Sequence, residues 1–240
     1  MNPDRNMTRH SKATNPVAFF FGPLARVVLS ALLVLCLAGA ALAGQWRVTV
    51  EAVLDGDTLV LAGGERLRLR GIDAPEVRRS GKSGQYHGQK SAQRLAALVS
   101  GRALVLDADE LDTDRYGRLV GTARLADGRI VNLLMIEQGA AFVYPHTSDK
   151  DEALAARLLD AQIRAMAEGQ GFWPEVLGSP GARAGFVGTR NSRRFHVLSC
   201  AQGRKIRAAN RVWFSSLREA FAAGYAPARE CTPWPEDSGR

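Results

Sequence analysis

The feature that most constrains the fold is a succession of short alternating runs between residues 46 and 72. The segments "WRVTVEAVL", "TLVLA" and "ERLRLRGI" have strand length, and the Asp-Gly and Gly-Gly pairs between them are typical of tight turns. They predict an antiparallel meander. In "RLRLR" the two-residue period of a strand places the three arginines on one face and the two leucines on the other. One face therefore packs against a core while the other meets solvent or a ligand.

Beyond the meander, the chain mixes helical and strand patterns. "GQKSAQRLAALVSG" predicts an amphipathic helix that ends at Gly101, and "RALVLDA" and "GRLVGTARL" predict two more strands. Two further helices, "VNLLMIEQG" and "DEALAARLLDAQIRAMAEGQG", end at Gly139 and Gly169. Five short strands with two or three helices indicate an α+β protein built on a five-stranded β-barrel of the OB type.

Residues 1–43 have the pattern of an export signal. A modestly basic leader precedes an uncharged run from Val27, which ends in "AALA" with the small residues Ala41 and Ala43. This arrangement predicts a signal peptide cleaved before Gly44 or, since the leader is long, an uncleaved N-terminal anchor. In both cases we expect the folded part to lie outside the cytoplasm, in the periplasm or the extracellular space, with a membrane tether if the signal stays uncleaved.

Charge divides the rest of the chain. Residues 44–180 carry 17 basic and 19 acidic side chains, whereas residues 181–240 carry 11 and 4. We expect a barrel domain over 44–174, a linker over 175–186 and a small basic α+β module over 187–235. The run "PEVLGSPGAR", with two prolines and two glycines, indicates the linker. The basic excess suggests an anionic partner such as nucleic acid, and it is also compatible with a solubilising surface.

Acidic residues cluster at the ends of the predicted strands. Asp55 and Asp57 lie in the first turn, and Asp73 and Glu76 follow the arginine-rich strand in "GIDAPE". Carboxylates that a barrel brings onto one rim repel each other unless a cation neutralises them. Oxygen ligands of this kind suit a hard ion, Ca²⁺ or Mg²⁺, rather than zinc.

Two arginines extend this cluster: Arg68, on the polar face of its strand, and Arg118 in "DTDRYGR". A metal ion, a carboxylate base and two guanidinium groups are the minimum set of groups for hydrolysing a phosphodiester. The cations stabilise charge on the phosphate oxygens, and the base takes a proton from water. The alternative is that each arginine pairs with a nearby aspartate in a surface salt bridge.

The order of three motifs, "DGDTLVL", "RLRGIDAPE" and "DRYGRLVG", resembles that of the staphylococcal-type thermonuclease family. The resemblance covers roughly residues 46–173. It implies an OB-fold barrel and Ca²⁺-dependent cleavage of DNA and RNA. By position, it implies that Asp57, Asp73 and the Ala74 carbonyl bind the metal and that Glu76 is the general base that activates water. Two further positions would bind the phosphate and stabilise the transition state: Arg68 and Arg118.

Other residues near these motifs are candidate substrate contacts. Tyr144 in "AFVYPH" is placed near a phosphate-contacting tyrosine of the family, and it is equally compatible with a core or rim position. The loop "VRRSGKSGQYHG" between Glu76 and the first helix is rich in glycine. It carries Arg78, Arg79 and Lys82, which suits a basic flap over a polyanion.

The C-terminal segment resembles a second known unit. "VGTRNSRRFH", "RRFHVLSC" and "NRVWFSSLREAFAAGY" are similar to the small zinc module of the adaptive-response DNA methyltransferase, in which four ligands close the site. His196, Cys200 and Cys231 match three of these ligands, while Ala228 occupies the fourth position. The missing ligand argues against structural Zn²⁺, and in an oxidising compartment a Cys200–Cys231 disulfide is the alternative staple.

Two function classes remain open at this point. The first is an exported, Ca²⁺-dependent nuclease that hydrolyses DNA and RNA with little sequence specificity. The second is an inactive OB module that binds nucleic acid or a protein. Degenerate copies of the domain lose site positions, whereas all five side chains implied by the resemblance are present here, which favours the nuclease. The motifs imply nucleic acid as the partner and no stable protein partner.

Overall fold

A computed structural model of the chain describes residues 44–79, 81, 83–144, 151–229, 231 and 234–235. The predicted export signal lies outside the described residues, and so does Lys82. Residues 44–240 cluster into one compact unit. Helices and strands are mixed throughout it, so the predicted α+β class is confirmed. In the described part of the chain, none of the helices has the length and apolarity that a membrane span needs.

The elements of the described residues follow in chain order. The strands are β1 (Gln45–Val53), β2 (Thr58–Leu61), β3 (Arg66–Leu69), β4 (Ile72–Asp73), β5 (Ala103–Asp107), β6 (Asp112–Thr113), β7 (Leu119–Gly121), β8 (Ala123–Leu125), β9 (Phe142–Val143), β10 (Phe186–Thr189), β11 (Arg194–Val197), β12 (Arg211–Phe214) and β13 (Ala226–Pro227). The α-helices are α1 (Gly88–Val99), α2 (Val131–Glu137), α3 (Glu152–Glu168), α4 (Trp173–Gly178), α5 (Ala201–Arg204) and α6 (Leu217–Ala222). Single 3₁₀ turns span Ala108–Glu110, Pro180–Arg183 and Ala208–Asn210.

Seven strands form the sheet that carries the motifs, in the order β6-β7-β3-β2-β1-β5-β8. The strands β1, β2 and β3 form the predicted antiparallel meander. Strand β7 pairs with β3 and β8 pairs with β5, although Thr122 alone separates β7 from β8 in the chain. The sheet must therefore curve until β7, which lies next to one edge, and β8, at the other edge, meet at Thr122. The expected count of five strands differs because the run 119–125 breaks into two strands and β6 adds a short edge. A closed ladder is not found among the described strands, so closure of the predicted barrel is not confirmed. The name barrel is kept for this curved sheet together with the helices α1 to α3.

The interior of this sheet is aliphatic. Leu67 and Leu69 of β3 are buried, whereas Arg66 on the opposite face is exposed, as the two-residue period predicts. Leu95 and Val99 of α1 face the same core from the predicted amphipathic helix. Other members come from β2, β5 and the helices α2 and α3: Leu59, Leu61, Leu104, Leu106, Val131, Met135, Ile136, Leu154 and Leu158.

A second core, rich in aromatic side chains, joins the barrel to the C-terminal module. Phe142 of β9 and Phe172, directly before α4, pack against Phe221 of α6 and against Trp234. The ring centroids of these neighbours lie 4.8 to 6.4 Å apart, mostly in edge-to-face arrangements. Edge-to-face pairs of this kind stabilise a core beyond the area that they bury. The two parts of the chain therefore share one set of buried side chains.

The segment 175–186, expected as a linker, is folded. It contains most of α4 and the 3₁₀ turn Pro180–Arg183, and Val176 and Ala182 are buried in the aromatic core. Gly178 ends α4, and Pro180 begins the 3₁₀ turn. A four-stranded sheet in the order β12-β10-β11-β13 follows and packs with α6, whose N-cap residue, Ser216, accepts the Glu219 N–H through its side chain.

Candidate active site

The first turn of the meander places Asp57 against the segment that follows β3. Asp57 lies directly before β2, Asp73 ends β4, and each is only 4% exposed. The Ala74 N–H donates to Asp57 Oδ2 at 2.9 Å, which joins the two turns. A Cβ at Gly56 would lie 2.7 Å from the Cβ atoms of Ala74 and Ser91. The Asp-Gly-Asp turn therefore needs glycine at its centre so that the two turns can approach.

Arg68 bridges the two buried carboxylates. Its Nη1 lies 2.5 Å from Asp57 Oδ1, and its Nη2 lies 2.9 Å from Asp73 Oδ1. Burial disfavours the charged guanidinium, but the Coulombic attraction of the two aspartates is stronger and raises the pKa of Arg68 above its ordinary value. The pairing is therefore a buried one that links two turns, and it holds a positive charge between two negative charges.

The oxygens of this cluster are suitable ligands for a divalent cation. Asp57, Asp73 and Ala74, the three predicted ligands, are contiguous in space, and two of them carry buried carboxylates. Carboxylates and a backbone carbonyl offer only hard oxygen donors, which suit Ca²⁺ or Mg²⁺ better than zinc. The residues present therefore fit the kind of metal that the motifs predict.

Glu76 projects from a backbone that is held on both sides. Its N–H donates to Gln85 Oε1 and its carbonyl accepts from the Gln85 N–H, both at 2.9 Å. Gly88, the first residue of α1, packs so closely against the Glu76 carbonyl that a Cβ would overlap it. The carboxylate itself is 42% exposed, and its Oε1 lies 2.9 Å from Arg229 Nη2. The backbone is thus fixed while the carboxylate stays accessible to water.

A cavity of about 770 Å³ lies beside this cluster. Arg68 and Arg118 both line it, together with Tyr116 and Tyr144. Arg118 donates through Nε and Nη2 to Asp114 Oδ2, at 2.9 and 2.8 Å. Burial opposes ionisation of Asp114, but hydrogen bonds from the Arg118 backbone and guanidinium outweigh it and lower the pKa of Asp114. A charged partner therefore holds Arg118 at the cavity wall.

The remaining predicted substrate contacts fall into two groups. Tyr144 lines the cavity and also packs against the aromatic core, and its ring centroid lies 3.6 Å from the guanidinium carbon of Arg194. Arg79 lies apart from the cavity, with its Nη2 3.2 Å from Asp55 Oδ2. Arg78 does not line the cavity either. Of the predicted contacts that the structure describes, Tyr144 is therefore the one at the cavity.

Cys200 and Cys231 form a disulfide. His196 Nδ1 lies 3.4 Å from Cys200 Sγ, and the ligand atoms of all three residues lie within 4.8 Å of one another. Because the disulfide uses both sulfurs, neither is available as a thiolate ligand, and Ala228 offers no ligand at the fourth position. The disulfide is the staple in this structure, and the zinc module that the sequence resembles is not confirmed.

Two arginines that sequence analysis missed reach the site from the C-terminal module. Both terminal nitrogens of Arg194 lie 3.2 Å from Asp73 Oδ2, and Arg229 contacts Glu76 as described above. Arg194 and Asp73 are 121 residues apart in the chain. The basic excess of the module was a signal for such contacts, but it does not distinguish these two residues from the other arginines around them.

Comparison with known proteins assigns the family. Residues 66–175 match the model of the family described as "Staphylococcal nuclease homologue". The chain is similar to the succinoglycan biosynthesis protein ExoI of Rhizobium meliloti (strain 1021), with 38% identity over 152 residues that cover 61% of this chain and 73% of that protein. It is also similar to protein ParB of Escherichia coli, with 40% identity over 126 residues that cover 48% of this chain and 66% of that protein. The chain belongs to the staphylococcal nuclease homologue family.

The matches cover different shares of the relatives. Endonuclease YhcR of Bacillus subtilis (strain 168) is 26% identical over 215 residues, which are 76% of this chain but 17% of that protein. The chain spans slightly under two thirds of ParB and a small part of YhcR. The family match ends at residue 175, so it does not include Arg194 or Arg229.

Proposed function

We propose that this chain is an exported, metal-dependent nuclease that hydrolyses phosphodiester bonds of DNA and RNA with little sequence specificity. The observation that carries the proposal is the bridge of Arg68 between Asp57 and Asp73, beside a cavity lined by further arginines. Family membership and relatives named as endonucleases support it. Guanidinium groups contact phosphates, which are the same in every sequence, and this supports low specificity.

Asp57, Asp73 and the Ala74 carbonyl are the residues that would hold the metal. We propose Ca²⁺ as this ion, with Mg²⁺ as the alternative, because the donors are oxygens. When bound, a divalent ion supplies positive charge that stabilises the phosphate oxygens as negative charge develops on them.

In the proposed reaction, a water molecule attacks phosphorus and gives a proton to Glu76, while the bond from phosphorus to the leaving ester oxygen breaks. The leaving oxygen takes a proton from solvent water, and Glu76 returns its proton to the solvent. Glu76 suits the role of general base because its backbone is fixed and its carboxylate is 42% exposed. Arg68 and Arg118 contact the phosphate oxygens, whose charge grows in the transition state. The contacts of Arg118 with Asp114 use Nε and Nη2, which leaves Nη1 to face the phosphate.

Export is part of the proposal. The leader, uncharged run and small residues of positions 1–43 support it, and the Cys200–Cys231 disulfide is compatible with an oxidising compartment. N-terminal sequencing of the protein recovered outside the cytoplasm tests this directly. A first residue of Gly44 indicates a cleaved signal, and an intact leader in the membrane fraction indicates a tethered enzyme.

The activity is tested with purified protein, plasmid DNA and RNA, in Ca²⁺ and in EGTA. We expect both nucleic acids to be degraded in Ca²⁺ and neither in EGTA. Equal activity in EGTA with Mg²⁺ would show that the metal is Mg²⁺ rather than Ca²⁺. Binding of both nucleic acids without cleavage under all of these conditions would contradict the nuclease proposal and favour the inactive OB module.

A further inference from the structure

The C-terminal module supplies one wall of the cavity that Arg68 and Arg118 line. Arg229 in this wall also contacts Glu76, which does not itself line the cavity. The lining includes Arg194 of β11 and, after β13, Ala228 and Arg229. Strands β11 and β13 pair in parallel, and the Ala228 N–H donates to the Phe195 carbonyl at 2.8 Å, so these two segments run side by side. Since the barrel lines the same cavity, a substrate that enters it must also meet the module.

Arg194 fixes this wall to the barrel. Its Nη1 donates to the Pro227 carbonyl at 2.9 Å, and both terminal nitrogens lie 3.2 Å from Asp73 Oδ2. Its guanidinium also stacks on the Tyr144 ring, and the side chain is only 17% exposed. Arg194 is therefore held from three sides and has little freedom to change partners. It ties the segment that carries Arg229 to the site.

Arg229 is held in a different way. Its side chain is 64% exposed, with Nη2 2.9 Å from Glu76 Oε1 and 3.7 Å from Asp73 Oδ1. Arginine stays protonated in proteins, so the guanidinium is charged in this pair. An exposed ion pair contributes little because water competes for both partners. Arg229 can therefore exchange Glu76 for another anion at small cost.

The backbone around Arg229 is fixed, so the exchange needs only a side-chain movement. On one side, Ala228 is bonded to β11 through its N–H. On the other side, Cys231 is joined to Cys200 by the disulfide. The guanidinium therefore stays at the wall of the cavity whichever anion it contacts.

We propose that Arg229 is a substrate-binding residue of the nuclease site. When nucleic acid enters the cavity, its guanidinium leaves Glu76 for a phosphate of the substrate, and the Glu76 carboxylate becomes free to accept a proton from water. A phosphodiester offers two unesterified oxygens, which match the planar N–H groups of arginine. This inference rests on the proposed function, and it couples substrate binding to release of the base.

The experiment compares three variants of the full-length chain: Arg229→Ala, Arg229→Lys and Arg218→Ala. Arg218 is the matched control, because it is exposed on α6 in the same module and does not line the cavity. Steady-state cleavage of a short fluorogenic oligonucleotide in Ca²⁺ gives kcat and KM. Fluorescence anisotropy with the same oligonucleotide in EGTA gives a Kd that does not depend on turnover.

We expect Arg229→Ala to raise both KM and Kd about 10-fold while kcat changes by less than about 3-fold, since a charge-assisted hydrogen bond is lost on binding. Arg229→Lys should give an intermediate KM, because lysine keeps the charge without the planar fork. Arg218→Ala should stay within about 2-fold of the wild type in all three quantities.

Equal KM and Kd values for Arg229→Ala and Arg218→Ala would overturn the inference. A higher kcat with unchanged KM would also overturn it, because Arg229 would then only block Glu76. Either result leaves the proposed nuclease function standing, since the wild type still cleaves. If the wild type does not cleave, the proposed function fails, and the Kd in EGTA still decides whether Arg229 binds the nucleic acid.

Discussion

The two hydrophobic cores of this chain differ in composition and in what they position. The barrel core is aliphatic, with Leu67 and Leu69 inside β3, and it holds Arg68 and the predicted metal ligands on its rim. The second core is aromatic, with Phe172 and Phe221 at its centre, and it holds the C-terminal module against the barrel. The motif-bearing core provides the carboxylates, and the aromatic core brings further arginines to them. One site therefore depends on both cores.

Polar contacts tie the two regions together as well. The buried Gln162 side chain on α3 accepts from the Val143 N–H and donates to the Phe221 carbonyl, each at 2.7 Å, so one amide connects β9 to α6. Trp234 Nε1 donates to the Tyr86 carbonyl at 3.0 Å, close to the loop that holds Glu76. Buried amides of this kind are costly to leave unpaired. We therefore expect the two regions to unfold together.

Phe221→Ala tests this expectation, and we expect it to lower stability at least as much as the other substitutions below. Removing a fully buried phenylalanine from the aromatic core should lower the free energy of unfolding by about 4 kcal/mol. Because the cores share contacts, denaturant unfolding followed by fluorescence and by far-UV circular dichroism should show one coincident transition. Trp213→Ala is the control, since Trp213 is exposed. A separate barrel transition at the wild-type midpoint would show instead that the cores are independent.

Arg68→Gln examines the barrel rim alone. Removal of the guanidinium leaves Asp57 without its cation and should cost about 3 kcal/mol of stability, because one member of a buried pair is lost. Added Ca²⁺ should raise the melting temperature of this variant more than that of the wild type, since a ligand that binds the folded state stabilises it. Arg66→Gln, exposed on the same strand, is the control. A Ca²⁺ effect no larger than in the wild type would argue against metal binding at these carboxylates.

The double variant Cys200→Ser/Cys231→Ser tests how much the disulfide, as distinct from core packing, stabilises the module. The disulfide closes a sequence separation of 31 residues, and its loss should reduce the free energy of unfolding by about 3 to 4 kcal/mol. KM should rise as well, because Arg229 lies two residues before Cys231. Chemical denaturation and steady-state kinetics measure the two effects. Unchanged stability would mean that the aromatic core alone holds the module.

The smallest effect concerns His87, the residue directly before α1. Burial, with smaller contributions from Lys90 and Arg94, lowers the pKa of His87 from 6.5 to about 4, and its ring packs edge-on to Phe172. Between these two pH values the unfolded chain binds a proton that the folded chain does not. Stability should therefore fall as the pH drops from about 6.5 to about 4, and His87 should contribute no slope above that range.

His87→Asn provides the comparison for this pH dependence. Asparagine tolerates the positive φ of 70° at this position and does not titrate in the range. Melting temperatures across pH 4 to 7 should fall less steeply for the variant than for the wild type. If the melting temperatures of the variant and the wild type fall equally with pH, His87 does not contribute to the pH dependence of stability.

Much of the barrel and its rim could be predicted from local patterns. The alternation in "RLRLR" fixes which side chains of β3 are buried, and the turn sequence around Gly56 fixes the approach of Asp57 to Ala74. Each of these signals lies within a few residues of the structure that it specifies. The α+β class, the meander and the helix α1 were confirmed for this reason.

What the sequence did not show depends on contacts between distant segments. The positions of Arg194 and Arg229 follow from the docking of the module, and no local pattern encodes a pairing across 121 residues. The segment 175–186 has the composition of a linker, yet Val176 and Ala182 are buried because aromatic rings from both sides cover them. The break at Thr122 likewise follows from the curvature that brings β7 and β8 together.

The most direct test of the account is kcat for Glu76→Gln, measured with Ca²⁺ and a defined oligonucleotide. Glutamine keeps the size of the side chain but cannot accept the proton of the attacking water. We predict a fall in kcat of about 10²- to 10⁴-fold with an unchanged melting temperature, while Glu65→Gln, exposed in the meander, has no effect. A wild-type rate in Glu76→Gln would contradict the account, because the hydrolysis would then proceed without the base that the barrel holds in place.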